Sequence, residues 1–481
     1  MIFNSINYFI FFSAVFAGTY LTPAKLRWAL LLAASISFYL IGGGLSTITV
    51  PFIIILVTFY CGIYIKQAAT ASAKKAIYLT GLIVNIGLLM FFKYINFFIE
   101  TAYDAVYLFR EKTAAPVSPP FVINVIIPLG ISYITFQAIG YLIEVKRGSY
   151  EPEKHLGVFA SYLLFFPKLL SGPIEPAQNF LPQLHQNKGF DIPKINAGLR
   201  RMLWGLFLKL AVANRLEIYT DAVFGNYTHH TGSTLLVGAF FYTIQMFADF
   251  AGYTNMAIGS AQILGYDLMD NFNVPFVAKS VTEFWRRWHI SLSSWVNEYI
   301  YNPVSMGLRS WNKWAVVAAC MVTFLILGFW HGASWNYIAF GFMQGVILSV
   351  EMFTRKTRKK IRGSIPSWLN TITGTLFTFS YFCFSLVIFR NTDMSDAVGI
   401  VKKIFTHTGT IYYDNPSMIL FCCLGAVIVL VSEFRKEYFK NFLSWFDSGN
   451  WLVRNIAYVA VIMLILIMGV FDGGQFIYFK F

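Results

Sequence analysis

The chain has 481 residues, of which 57% are hydrophobic and only 12% charged, with a mean hydropathy of +0.59 and a formal net charge of +14. One water-soluble core cannot hide that much apolar surface, so soluble globular and disordered proteins are excluded and the solvent is lipid. The basic excess lies beside the apolar runs, which marks it as a topology signal and not as a nucleic-acid surface.

Apolar runs near 7–22, 28–47, 51–65, 76–98, 121–143, 197–213, 234–262, 314–330, 335–351, 369–389, 417–433 and 451–470 predict membrane helices, about eleven or twelve in all. The expected fold is an all-α polytopic membrane protein, with residues 1–481 forming one integral-membrane domain. No basic stretch precedes the run at 7–22 and no small-residue cleavage site closes it, so it reads as a first span and not as a cleaved signal. The stretch 157–170 is too short to cross and runs into Pro167, Gly172, Pro173 and Pro176, which predicts a re-entrant segment buried by its neighbours. Cys61, Cys320, Cys383, Cys422 and Cys423 are scattered through apolar runs, as small buried hydrophobes are, and no Cys/His or Asp/Glu set has metal-ligand spacing.

Orientation follows from the basic residues. Arg355, Lys356, Arg358, Lys359, Lys360 and Arg362 form the densest cluster, which places that loop in the cytoplasm. By alternation Lys25 with Arg27, Lys66 with Lys74 and Lys75, Lys146 with Arg147, Arg200 with Arg201, and Arg435 with Lys436 and Lys440 fall on the same side. Both termini are then outside, with Arg110, Lys112, Lys402 and Lys403 as dissenting charges. On this map His331, in Gly328-Phe-Trp-His-Gly-Ala333, lies toward the outer side, roughly 25 Å of helix from the inner basic loop. An ionisable group between apolar runs marks function, with a histidine that merely packs between helices as the rival reading.

The connection 265–313 is too charged to span and too aromatic to float in water. Phe284, Trp288, Leu292, Trp295 and Tyr299 recur at helical spacing and form one stripe. Two readings stay open: an amphipathic helix at the cytoplasmic headgroups, or a ligand site in which Trp285, Arg286 and Arg287 attract phosphates, since guanidinium forks suit phosphate oxygens. Gln245, Asp249 and Tyr253 share a helical face within 234–262, joined by Thr254 and Asn255. Either they line a water-filled passage or they satisfy one another between helices.

These motifs together resemble the membrane-bound O-acyltransferases, and within them the bacterial alginate O-acetyltransferase branch. The resemblance rests on Phe247-Ala-Asp-Phe-Ala-Gly-Tyr-Thr-Asn-Met-Ala-Ile-Gly259, Asn271-Phe-Asn-Val-Pro-Phe276, Ser280-Val-Thr-Glu-Phe-Trp-Arg-Arg-Trp-His-Ile-Ser-Leu-Ser293 and Leu327-Gly-Phe-Trp-His-Gly-Ala333, in the branch's order. Ala251 stands where serine is usual. Pro128-Leu-Gly-Ile-Ser132, Ser171-Gly-Pro173 and Phe389-Arg390 extend it over most of the chain. The resemblance implies that His331 is the catalytic histidine and His289 the second one, nearer the cytoplasmic entrance. It also implies acetyl-coenzyme A as donor, no bound cofactor, and an exported polysaccharide as the eventual acceptor. A periplasmic or surface-anchored hydrolase-like partner would complete the transfer, in the inner membrane of a bacterium. A neutral imidazole of reference pKa ~6.5 suits removal of a proton from a hydroxyl attacking a thioester.

His289 is therefore expected at the inner end and His331 at the outer end of a passage. The aromatic tail 471–481 carries Tyr478, which either anchors at the outer interface or relays the acyl group, as the resemblance suggests. D-alanyl transfer to teichoic acid is the alternative within the same family. A transporter or channel is the alternative of another class; no inverted repeat is visible, and the two histidine motifs would go unexplained.

Overall fold

A computed structural model describes residues 3–108, 121–170, 172–391, 393–439, 446 and 448–472. Their regular structure is helical, with one isolated antiparallel bridge between Phe272 and Trp288. Nine helices among them are long and apolar enough to cross a membrane. The three other expected spans are helices of a different kind: Ile6–Leu21 has 16 residues, Ile131–Arg147 has 17, and the third is longer and more polar than the run that predicted it. Contacts divide the chain into two compact units, Met1–Ile192 with Leu264–Leu268 and Gly332–Ser334, and Pro193–Ile263 with Met269–His331 and Trp335–Phe481.

In the first unit the apolar run 121–143 does not become one helix. Residues 121–128 are irregular, and Ile131–Arg147 begins only after Gly130, whose φ of +67° suits glycine and whose missing Cβ leaves room for the Leu169 carbonyl. Pro128 stands just before this turn, where it cannot donate to a helix. The 157–170 stretch forms two short helices, Leu156–Leu164 and Phe166–Leu169, separated at Phe165, and every residue from Val158 to Leu170 is buried. Pro167 sits in the first turn of the second helix, where its missing N–H costs nothing. Lys168 is also buried; its ammonium donates to Gln137 Oε1 and lies 4.0 Å from the Tyr162 ring.

The second unit holds six of the nine apolar helices: Gly232–Ile263, Lys313–His331, Trp335–Phe353, Ser367–Arg390, Pro416–Tyr438 and Trp451–Met468. A further helix passes from Ile192–Leu206 through a π-helical turn, Phe207–Ala213, into Asn214–Gly225. It carries Arg200, Arg201, Lys209 and Arg215, which is why it fails as a plain apolar span. Gly198 and Gly205 face Gly259 and Gly252 at backbone contact, with 2.6 Å between the Cβ that Gly205 lacks and the Gly252 carbonyl. Two glycines seven residues apart on each helix thus bring the backbones together, as small residues do in membranes. The same device joins Lys313–His331 to Trp335–Phe353: a Cβ on Gly328 would run into the Tyr337 carbonyl and one on Gly341 into the Phe324 carbonyl.

Candidate active site

The segment read either as an amphipathic surface helix or as a ligand site is two short helices, Val281–Arg287 and Ile290–Val296, separated at His289. Its start is fixed by three oxygens. Ser280 Oγ accepts from Glu283 N at 3.1 Å, and the Glu351 carboxylate accepts from Val281 N and Thr282 N, each at 3.0 Å, and from Thr282 Oγ1 at 2.7 Å. The first-turn amides of a helix have no partner within it, so these contacts anchor the segment to the end of Trp335–Phe353.

From there the segment runs along Lys313–His331. Trp285 packs on Phe324 with ring centroids 5.0 Å apart and donates through Nε1 to Gln344 at 3.2 Å. Phe284 packs on Phe382 at 4.1 Å, and His289 lies 6.2 Å from Trp330. Of the two readings, the helix lying at the headgroups is corrected: Phe284, Trp285, Trp288, His289 and Leu292 are buried in protein. An aromatic stripe marks an apolar face, but period alone does not say whether lipid or protein covers it.

His289 adopts φ +45°, the left-handed region, which a non-glycine residue enters only when its surroundings impose it. The imposing element is Asn271-Phe272-Asn273. Ile290 N donates to Asn271 O and Asn273 N to Arg287 O, both at 2.9 Å, while Asn271 Oδ1 accepts from Ser291 N at 3.2 Å and Ser291 Oγ at 2.6 Å. Burial drives the His289 pKa down to about 3, so the ring is neutral at working pH.

His331 ends the Lys313–His331 helix, is 6% exposed, and meets Phe389 edge-on at 5.2 Å. Its neighbour Trp330 lies 5.1 Å from it and 6.2 Å from His289. The two imidazoles, expected at opposite ends of a passage, are therefore gathered around one indole. Charge counting assigns loops to faces; it does not register that a short aromatic segment is drawn inward by Phe324 and Phe382.

A cavity of about 870 Å³ is lined by Ile290 and Leu327, sequence neighbours of these two histidines. At one end it is lined by Arg286, Arg355, Arg358, Lys359 and Arg362, with Glu351 as its single acid, and farther in by Trp285, Thr323, Phe324 and Leu327. Leu327 is one helical turn from His331, on the same face. Arg286 and Arg287 part company here. Arg286 is exposed and lines the cavity, whereas Arg287 is held by Glu283 at 2.7 Å and by Glu437 at 2.9 and 3.1 Å. Hydrogen bonding to Glu437 raises the Arg287 pKa above its ordinary value.

The polar residues of Gly232–Ile263 are placed as follows. Asp249 pairs with Lys209 Nζ at 2.7 Å, both buried; Gln245 accepts from Thr220 Oγ1 at 2.6 Å; Tyr253 is buried, with the Lys209 ammonium 5.5 Å from its ring. Asn255 accepts from Arg201 Nε at 3.0 Å. None of the four lines that cavity. Lys209, Gln344, Glu351 and Asn271 carry no role in the sequence reading. Lys209 and Glu351 had a signal, each being a charge inside or at the edge of an apolar run, while Asn271 and Gln344 had none beyond polarity. Tyr478 lies outside the described residues.

The described residues define a multi-pass helical membrane protein with a histidine at the buried end of a long apolar helix and a cavity lined by several cations in the same unit. Comparison with known proteins narrows that class. Residues 154–390 match the model of the membrane-bound O-acyltransferase family. The chain is 32% identical over 418 residues to a probable alginate O-acetylase of Azotobacter vinelandii, covering 84% of this chain and 78% of that one. It is 29% identical over 374 residues to a peptidoglycan O-acetyltransferase of Helicobacter pylori, covering 72% and 68%, and 31% identical over 281 residues to a teichoic acid D-alanyltransferase of Bacillus subtilis, covering 57% and 71%. The chain belongs to the membrane-bound O-acyltransferase family and is an O-acyltransferase.

Proposed function

We propose that this protein takes an acetyl group from cytoplasmic acetyl-coenzyme A and passes it across the membrane for O-acetylation of an exported cell-surface polysaccharide. The observation that carries this reading is the cavity whose cations gather at one end and whose apolar end reaches Leu327, a turn from His331. Its volume suits one small-molecule ligand. Arg286, Arg355, Arg358, Lys359 and Arg362 hold the donor phosphates, bidentately where guanidinium is involved. The thioester then lies toward Leu327.

His331 acts as the base. It takes the proton of the attacking hydroxyl as the new O–C bond forms, and returns it to the sulfur as the C–S bond breaks. His289, neutral and of low basicity, is a poor base and serves as a hydrogen-bonding neighbour of the reacting carbonyl. The hydroxyl belongs to the glycan, to a hydrolase-like partner outside, or to Tyr478 as a relay that splits one transfer into two.

Resemblance to the D-alanyltransferase keeps a second donor in view, an aminoacyl carrier protein, whose phosphopantetheine would use the same cations. Purified protein given radiolabelled acetyl-coenzyme A or D-alanyl carrier separates the two: label retained on the protein or passed to an acceptor from acetyl-coenzyme A alone is expected. His331→Ala abolishes transfer, a loss of about 10² to 10⁴-fold for a missing base, while donor binding persists. Transfer only from the D-alanyl carrier, or full activity of His331→Ala, refutes the proposal.

A further inference from the structure

Trp335–Phe353 and Ser367–Arg390 are joined by the short basic helix Arg355–Gly363, and between their joined ends lies a groove of about 250 Å³. It is lined by Val350 and Glu351 of the first helix, Phe377 of the second, and the cations Lys279, Arg358 and Arg362. One wall is open to lipid. Val350 and Phe377 are 46% and 55% exposed on helices long and apolar enough to cross a membrane, where the medium covering such side chains is hydrocarbon. Trp368, exposed in the first turn of Ser367–Arg390, marks the interface, and Phe377 lies roughly 13 Å of helix deeper. The groove therefore runs from headgroup level into the acyl region.

The other wall carries an excess of positive charge. Three cations face the single carboxylate of Glu351, which already accepts from Val281 N, Thr282 N and Thr282 Oγ1 and has Arg358 at 3.5 Å. Lys279 and Arg362 form no ion pair among the described residues. Backbone contacts nonetheless hold both in place: the Arg362 guanidinium donates to Lys279 O at 3.1 Å, and that carbonyl would lie 2.7 Å from a Cβ on Gly374. Cations fixed at the polar end of a lipid-facing groove are complementary to an anion that carries an apolar tail.

We propose that this groove binds an anionic phospholipid. Its phosphodiester oxygens accept from Lys279 and Arg362, and one acyl chain lies on Val350 and Phe377. The uncompensated cations repel a headgroup ammonium, so a lipid with an uncharged polyol headgroup is preferred to a zwitterionic one. Lys279 is the one cation of the groove that does not also line the larger cavity, which makes the site separable from that of the acyl donor.

Native mass spectrometry of the detergent-solubilised full chain, offered equimolar phosphatidylglycerol and phosphatidylethanolamine, tests it. A preference of about fivefold for one phosphatidylglycerol is expected, the value of one cation at a membrane surface. Lys279→Met lowers that retention by about fivefold, and Phe377→Ser, at an exposed position, lowers it by taking apolar surface from the chain. Lys360→Met removes one charge from the basic helix at a residue that lines neither cavity, and leaves retention unchanged. Glycerophosphoglycerol, the headgroup without its chains, fails to displace the lipid at equal concentration. Equal retention of the two lipids, or retention unchanged in both Lys279→Met and Phe377→Ser, overturns the proposal. Equal losses in Lys279→Met and Lys360→Met overturn it in favour of a diffuse basic surface, and displacement by glycerophosphoglycerol overturns it in favour of a soluble anion.

Discussion

Glu351→Gln tests whether one carboxylate holds the active segment in place. Glu351 lies in the last turns of Trp335–Phe353, where the helix dipole disfavours a negative charge, and it is 6% exposed. It is tolerable there because two first-turn amides and one hydroxyl of the 280–287 segment donate to it and Arg358 stands 3.5 Å away. Glutamine keeps one acceptor oxygen but turns a donor NH₂ toward an amide that also donates. At least one charge-assisted hydrogen bond is lost, about 1.5–3 kcal/mol, and one buried N–H loses its acceptor, about 1–3 kcal/mol. Taking the lower ends, the net cost is about 2.5 kcal/mol. Because Trp285 and His289 follow from this anchor, kcat for acyl transfer should fall by about tenfold or more while the KM for donor moves less. Thermal unfolding in detergent and steady-state acyl transfer are the assays. A Glu351→Gln protein with unchanged Tm and kcat would mean that the segment is positioned by its aromatic packing alone.

Lys209→Met and Asp249→Leu should each cost about 3–5 kcal/mol by stranding a buried charge, and the double variant should recover most of that, since an apolar pair is often as stable as a buried ion pair; a double-mutant cycle of unfolding midpoints that shows simple additivity would dissolve the pair. His289 has a folded pKa of about 3, below its unfolded value of ~6.5, so the unfolded chain binds the extra proton and stability is lost as pH falls from 6.5, by up to about 1.4 kcal/mol per pH unit, with no effect above it. The difference in Tm between the parent and His289→Gln, measured from pH 8 to pH 5, should therefore shrink below pH 6.5, and a constant difference would place a charged imidazole at that site. Gly328→Ala should force Lys313–His331 away from Tyr337 and Gly341, lowering stability by about 1–3 kcal/mol and impairing transfer; wild-type activity would show that the crossing has slack.

Hydropathy located most of the spanning helices because lipid leaves the backbone few alternatives, and His331 stood out because imidazole between apolar runs is rare, while His289 stood out through the aromatic, basic segment that carries it. What escaped was the geometry between them. The spacing of Phe284, Trp288 and Leu292 predicts a continuous helix, yet the chain breaks at His289 because Asn271 offers its carbonyl and its side-chain oxygen to Ile290 and Ser291. A hydrogen bond across 19 residues leaves no local period to detect. Arg286 and Arg287 look equivalent in sequence, and only the carboxylates of Glu283 and Glu437 show that one of them is already occupied. Of the polar face at Gln245, Asp249 and Tyr253, the pattern gave the alignment but not the partners, because Lys209 and Thr220 come from a different helix.

Bringing both histidines to Trp330 changes what the transfer requires. Two imidazoles at opposite membrane faces would demand an acyl group shuttled between two reaction centres, each with its own acid–base chemistry. With both rings packed against one indole, the proposed transfer needs only one reaction centre, reached by the donor from the cationic cavity. The neutral state of His289 fits that arrangement. In the proposed mechanism, a second charged imidazole near His331 would disfavour the proton that a base there takes up, whereas a neutral ring of low basicity leaves that affinity intact and can offer a hydrogen bond to an oxyanion. The left-handed backbone at position 289 is then the cost of aiming that ring from a turn between two helices and not from the side of one.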